Sequence, residues 1–445
     1  MVGEVFNNEV MGRVGLFAGP PPLEAFIYLI HAAATVRATE PMGSNVLMIH
    51  DVSRALCEAR ATRNVCVELP AEYVTDADRR HDKVGRLRLS LYGTKGAAIK
   101  WQYEVAREII KAGFRRGRYY PCLCFHERMN LRTFLNRDDF AAVGTNYKVQ
   151  WLKDMLEKRS EINIECLSFA AAGLGGLRDG APSGPSPKTT NGSAMQEGSE
   201  ARLLNRVVRC TLDGWEVEPD QRHADLIVQE PQLSGANGVT SPREHDSRDN
   251  GEELNEELGP GDATMYIAIA AGANYLAADG PDIMYAVKEL CRGMANPTNI
   301  YWHKLKRLGR YLVEHGRNVL KFKWQGHESE VIGHSDSDWA GCRVTGKSTS
   351  GGALMIGGQF IKCWARTQNH VTLSSAEAEL VALMKCSAEL LGIRSMLRYI
   401  GVECGGIVYA DSSAALAIAK RKGASELRHI NINFLWIKKT GYQSA

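Results

Sequence analysis

From Leu320 to Asp411 the hydrophobic period changes from two to 3.6 and back again, and three acids stand at the end of an apolar strand or inside the apolar helix. Leu320–Trp324, Glu330–Ser335, Thr349–Ile356 and Gln359–Trp364 alternate as strands. Ser375 to about Ile400 then repeats as one long helix, Ile407–Ala410 is again a strand, and two helices follow. Strands, a helix, a strand and helices in this order fold as a mixed-sheet α/β domain.

Three carboxylates sit in this frame. Asp336 closes a strand in His334-Ser-Asp336-Ser-Asp338-Trp-Ala-Gly, where an acid serves equally well as a turn residue. Glu379, in Leu373-Ser-Ser-Ala-Glu377-Ala-Glu379-Leu, shares a helical face with Leu383, Cys386, Leu390, Ile393 and Leu397, whereas Glu377 projects to nearly the opposite side. Burying an unpaired carboxylate costs several kcal/mol, so Glu379 requires a salt-bridge partner or a metal ion. Asp411, in Tyr409-Ala-Asp411-Ser-Ser-Ala-Ala, lies between a strand and a helix start, the place of an ordinary N-cap. Taken together, the three acids suit two divalent cations roughly 4 Å apart, one activating water and one stabilising a leaving oxygen. Phosphodiester hydrolysis is the natural chemistry of such a pair.

A chain of 445 residues is too long for one core, so two or three domains are expected. Residues from about 20 to 168 alternate as an α/β unit. A helix begins at Pro21-Pro22, Val46–His50 is a buried strand ending at Asp51, and Trp101–Ala112 is helical. Thr133-Phe-Leu and Phe140–Val143 flank a hairpin with Asn136-Arg137-Asp138-Asp139 at its tip, and Val149–Lys158 is an amphipathic helix. Asp51 with Asp138 and Asp139 forms a second acidic set, read either as a solvated turn or as a two-metal nucleotidyl-transfer palm. Gly173–Ser199 is rich in Gly, Pro, Ser and Thr and is expected to be disordered. A folded patch from 201 to 230 and a polar, acidic stretch from 232 to 263 follow. Met265–Gly316 reads as helical.

The net charge of +3 leaves any basic surface local. The eleven cysteines are scattered with no CxxC pair, which argues against a disulfide framework or zinc ribbon. Cys122-Leu-Cys124-Phe-His126 alternates as a strand and reads first as packed thiols, with a metal site as the other possibility. Neither a transmembrane run nor a signal peptide is evident, so an intracellular protein without membrane contact is expected.

With these residues in hand, the chain resembles copia-type retrotransposon Pol polyproteins, in which reverse transcriptase precedes ribonuclease H. Asp336-Ser-Asp338-Trp339-Ala-Gly, Lys347-Ser-Thr-Ser-Gly-Gly352, Leu373-Ser-Ser-Ala-Glu-Ala-Glu379 and Asp411-Ser-Ser-Ala match the ribonuclease H blocks in order. Ala277-Ala-Asp-Gly-Pro281-Asp282-Ile, the His303–Leu312 helix and Arg428-His429-Ile430 match their flanks. Upstream, Asp51-Val-Ser-Arg-Ala-Leu56, Ser90-Leu-Tyr-Gly93-Thr-Lys95 and Asp138-Asp139 resemble the polymerase blocks. The departures are Leu56 for an aromatic, Gly96 and Ala98 for Gln and Pro, Asn136-Arg137 before the acid pair, and Asn431 for an Asp.

The resemblance implies a degenerate reverse-transcriptase palm and fingers (15–168), a disordered linker (169–200), a palm or thumb remnant (201–231) and an acidic linker (232–263). A helical connection (264–316) and a ribonuclease H-like mixed-sheet domain (317–445), C-terminally truncated, complete the α/β (α+β) chain. It implies Asp336, Glu379 and Asp411 as one catalytic metal set and Asp51, Asp138 and Asp139 as another, each with two Mg²⁺ or Mn²⁺ ions. The partner implied is an RNA–DNA hybrid or template-primer, gripped by its phosphates through Lys304, Lys306, Arg307, Arg310, Arg343 and Lys347. The alternative is a non-catalytic nucleic-acid-binding protein, or a pseudogene product, that retains the fold.

Overall fold

The computed structural model describes residues 22–36, 43–52, 55–61, 64–81, 83–94, 96–117, 120–136, 139–158, 162–168, 196–243 and 256–420. These group into two compact units, one drawn chiefly from residues 45–168 and the other from residue 199 onward. Helix α1 (Leu23–Ala34) is apolar on nearly every side, and Ala25 to Ala34 are all buried. Such a helix belongs inside a protein.

The first unit contains β1 (Asn45–Val52), α2 (Ala55–Glu58), β2 (Cys66–Val67), α3 (Asp76–Arg80), β3 (Gly85–Arg86) and α4 (Ala97–Lys111). There follow β4 (Arg115–Arg116), β5 (Leu123–His126), β6 (Leu131–Asn136), β7 (Asp139–Thr145), α5 (Asn146–Glu157), β8 (Ile162–Leu167) and β9 (Gln196–Gly198). Its main sheet runs β4-β5-β6-β7-β1-β8-β9. The period-two face of β1 carrying Val46, Met48 and Val52 packs with Trp101, Val105 and Ile109 of α4 and Val149 and Leu152 of α5. The expected hairpin is present: Asn136 pairs with Asp139 across its tip. The disorder expected for 173–199 falls largely outside the described residues, but its end does not. Gln196–Gly198 forms β9, parallel to β8.

In the second unit β10 (Glu200–Leu203), β11 (Arg206–Thr211) and β12 (Gly214–Glu218) form an antiparallel meander, followed by helices α6 (Gln221–Gln229), α7 (Pro260–Ala277), α8 (Met284–Arg292) and α9 (Asn299–His315). The helical stretch is thus three helices rather than one run, and the first begins at Pro260, which has no N–H to lose at a helix start. Their apolar faces close one core through Ile227, Tyr266, Ala270, Val287, Leu290, Leu305 and Leu308. Strand β13 (Leu320–Lys323) departs from expectation: it pairs with β12, Val217 opposite Leu320, and so completes the meander instead of joining the C-terminal sheet.

The C-terminal sheet comprises β14 (Glu330–Asp338), β15 (Thr349–Ile356), β16 (Gln359–Thr367) and β17 (Gly405–Ala410), ordered β16-β15-β14-β17. The first three are antiparallel and β17 is parallel to β14, reached through the long helix α10 (Ser375–Tyr399). A short helix α11 (Ser413–Lys420) ends the described chain. This is the mixed sheet expected for a ribonuclease H-like domain.

Candidate metal centre

Strand β14 sets the first acid. Val331, Gly333 and Ser335 are buried, while His334 and Asp336 alternate onto the exposed side. Gly333 lets α10 come close, since a Cβ there would stand 2.8 Å from the Cys386 sulfur. The strand continues through Asp338, so Asp336 lies within it, two residues short of the end expected to fall there.

Helix α10 sets the second. The Ser374 hydroxyl accepts the Glu377 N–H at 3.2 Å, and Glu377 Oε2 accepts the Leu373 N–H at 2.8 Å. This reciprocal cap fixes where the helix starts. Glu377 is therefore buried, despite a phase nearly opposite to Glu379, and its carboxylate is spent on the backbone. Glu379 lies in the first turns with Leu383, Cys386, Leu390, Ile393 and Leu397 buried behind it, as its phase predicts. Its Oε1 accepts both the N–H and the hydroxyl of Ser337, each at 3.1 Å. Its Oε2 is buried and has no hydrogen-bond partner.

The third acid, Asp411, follows β17 and is exposed. Capping of α11 falls to Ser412, whose hydroxyl accepts the Ala415 N–H at 3.2 Å, so the helix does not require Asp411 as its cap. Register brings the strands together: Ser335 lies beside Ala410 in the parallel ladder. Asp336, Glu379 and Asp411 consequently each offer a carboxylate oxygen, all within 4.8 Å of one another. Burial pushes the Glu379 carboxyl above the usual range; the charges of Asp336 and Asp411 add to the rise, and the two Ser337 hydrogen bonds oppose it. A buried oxygen without a donor, beside two exposed carboxylates, fits a hard divalent cation.

Asp338 plays another part. Its Oδ2 accepts the Tyr285 hydroxyl at 2.6 Å and its Oδ1 accepts the Thr349 N–H, so both oxygens are engaged. Nothing in the sequence pattern separates it from Asp336 except its partner on α8.

Of the second acidic set, the backbone register is defined: Asp51 of β1 lies opposite Asp139 of β7 on adjacent antiparallel strands. Asp138 and the side chain of Asp51 lie outside the described residues. The thiols of Cys122 and Cys124 are pushed up to about 12 by burial, and the His126 ring accepts the Met129 N–H and packs on Phe114 and Trp151. That group is a packed core edge.

The basic candidates on α9 are more engaged than a solvated face would be. Lys304 lies over Tyr301 and Lys306 over Trp302, while Arg307 donates to the Ser241 carbonyl at 2.9 Å and Arg310 to that of Asn237 at 2.8 Å. Arg343 is exposed and Lys347 half-buried in the loop between β14 and β15. No helix among the described residues is long and apolar enough to cross a membrane.

No protein-family model matches the chain. It is 26% identical over 397 residues to the retrovirus-related Pol polyprotein from transposon RE2 of Arabidopsis thaliana, covering 87% of this chain and 24% of that protein. A second relative is secreted RxLR effector protein 161 of Plasmopara viticola, 35% identical over 109 residues, which cover 24% of this chain and 76% of that protein. Among solved structures, a foamy viral protease-reverse transcriptase in complex with dsDNA aligns with a TM-score of 0.48 at 12% identity, covering 97% of this chain and 71% of that one. The chain spans about a quarter of the length of the first transposon Pol relatives it matches. Over 87% of its length the chain is thus similar, at 24–26% identity, to retrovirus-related Pol polyproteins from transposons.

Proposed function

We propose that the domain within residues 317–445 hydrolyses the RNA strand of an RNA–DNA hybrid, using divalent cations held by Asp336, Glu379 and Asp411. One observation carries this reading. Glu379 is buried with Oε1 fixed by two Ser337 donors and Oε2 unpartnered, within 4.8 Å of two further carboxylates. Without a cation such a cluster is self-repelling, and a buried carboxylate oxygen is left unpaired. Mg²⁺ or Mn²⁺ suits the all-oxygen donor set. Bound there, a pair of such ions would activate a water and stabilise the leaving oxygen. The protein's own contribution is orientation: Ser337 holds one carboxylate still, and the exposure of Asp336 and Asp411 leaves the site open to a phosphodiester from solvent.

Recognition in this reading is through phosphates, with Arg343 and Lys347 in the loop after β14 and Lys304, Lys306, Arg307 and Arg310 on α9. The unit within residues 15–168 is read as a polymerase palm with Asp51, Asp138 and Asp139 as its acids, a reading the Asp51–Asp139 register supports. An intracellular site of action goes with both activities.

Purified protein incubated with a labelled RNA–DNA hybrid tests the proposal. Cleavage that requires Mg²⁺ or Mn²⁺ and is abolished by Asp336→Asn and Glu379→Gln is expected. Hybrid binding without metal-dependent cleavage would sink the enzyme reading and make the chain a nucleic-acid-binding protein that keeps the fold.

A further inference from the structure

Helix α8 divides its faces between two tasks. Ala286, Val287 and Leu290 are buried, and Val287 and Leu290 join the helical core. The polar row Tyr285, Lys288 and Arg292, at i, i+3 and i+7, turns instead to the segment joining β14 to β15. The Tyr285 hydroxyl donates to Asp338 Oδ2 at 2.6 Å, Lys288 Nζ to Thr349 Oγ1 at 2.7 Å, and Arg292 Nη2 to Cys342 Sγ at 2.6 Å. Two of these bonds grip the ends of the segment and the third its middle.

The segment is also closed on itself. Ala340 N–H donates to the Ser348 hydroxyl at 3.0 Å, Cys342 N–H to the Lys347 carbonyl at 3.1 Å, and Gly346 N–H to the Cys342 carbonyl at 2.7 Å. Ala340 takes a left-handed φ of 52° at the corner, a conformation a residue with a Cβ keeps only when its surroundings impose it. A loop with this internal bonding moves as one piece, so fixing three of its points fixes the rest.

We infer that α8 is a clamp that sets the position of the 339–348 loop, which follows the strand carrying Asp336, and with it Arg343 and Lys347. This inference rests on the reading of those two cations as phosphate-binding groups. Asp338 is then a positioning residue: it receives the clamp's first hydrogen bond and is not a fourth metal ligand. The helix upstream of the domain thereby becomes part of its substrate grip without touching substrate.

The test uses the full chain with Tyr285→Phe, which deletes a single oxygen, and Arg292→Met. Affinity for a fluorescein-labelled RNA–DNA hybrid is measured by anisotropy in EDTA across a salt series. Mn²⁺ affinity of the acids is measured by calorimetry. Each variant is expected to weaken hybrid binding about three- to tenfold, the size of one hydrogen bond removed. The slope of log affinity on log salt should become shallower by about one to two, one unit for each phosphate that the displaced loop no longer reaches. Mn²⁺ affinity should stay at the wild-type value, and Arg292→Lys, which keeps a donor, should recover most of the hybrid affinity. Unchanged affinity and slope would overturn the clamp, as would a parallel loss of Mn²⁺ binding, which marks general damage to the domain. If the wild-type chain does not bind hybrid, the proposed function fails and the clamp is decided by hydrogen exchange. Faster exchange across 339–348 in Tyr285→Phe then upholds it, and unchanged exchange overturns it.

Discussion

His50 offers a direct test of how burial governs this fold. It lies in β1, two residues from Met48 and Val52 of the first unit's core, 1% exposed and stacked on Phe140 with ring centroids 5.0 Å apart. Neither ring nitrogen has a hydrogen-bond partner. Burial alone pushes the imidazole down to about 3 from an ordinary 6.5. The folded state therefore refuses a proton that the unfolded chain accepts, so stability present above pH 6.5 is lost as pH falls towards 3. With the unfolded value near 6.5, the loss between pH 7 and pH 5 is about 2 kcal/mol, approaching about 4 kcal/mol at pH 3. His50→Met removes the titrating group while keeping an apolar, adaptable side chain. Hydrogen exchange of β1 and β7 amides, corrected for intrinsic rates, isolates this unit from the rest of the chain. Wild-type protection should fall about thirtyfold more than that of the variant between pH 7 and pH 5. Equal pH dependence in the two proteins would refute the reasoning.

Glu379→Gln should lower Mn²⁺ affinity by more than about tenfold in calorimetry, yet raise the melting temperature in EDTA by an increment worth roughly 1 kcal/mol, because a desolvated charge is removed. Since burial raises the Glu379 carboxyl, protons should compete for the site at higher pH than at an ordinary carboxylate cluster, and Mn²⁺ titrations across pH check this. Glu377→Gln keeps the acceptor for the Leu373 N–H and should leave Mn²⁺ affinity unchanged, whereas Glu377→Ala should cost about 1 kcal/mol in denaturant unfolding. Arg206 and Asp279 form a buried, two-pronged ion pair at 2.7 and 2.8 Å. Arg206→Met should cost about 3–5 kcal/mol in the same measurement, and adding Asp279→Leu should recover most of it.

Period and phase made much of the fold legible in the sequence. The 3.6 repeat through Leu383, Cys386 and Leu390 picked out Glu379, and alternation located β14, β15 and the hairpin ending at Asp139. What stayed hidden depended on partners distant along the chain. β13 alternates as any edge strand does, and only the meander shows that its neighbour is β12. Glu377 looks solvent-facing by phase because a helical wheel has no term for a cap that folds back on Leu373. Asp338 and Asp336 share a strand face and a residue type, and what distinguishes Asp338 is its partners, the Tyr285 hydroxyl and the Thr349 N–H. That Arg307 and Arg310 donate to the carbonyls of Ser241 and Asn237 has no sign in the His303–Leu312 helix itself, because both acceptors lie more than sixty residues upstream. His50 gave no signal, since a single polar residue in an apolar strand is ordinary until its burial is known.

The parallel pairing of β14 with β17 has a kinetic consequence. Asp336 and Asp411 are brought together by a pairing that spans the whole of α10, the most distant strand pairing of the C-terminal sheet among the described residues. Local hairpins such as β15–β16 close far sooner on loop-entropy grounds. Competence to bind a cation should therefore arrive late in refolding, with the docking of β17. A fluorescent or paramagnetic ion added during refolding would act as a clock for that one event, silent while the hairpins and helix assemble around an empty third corner.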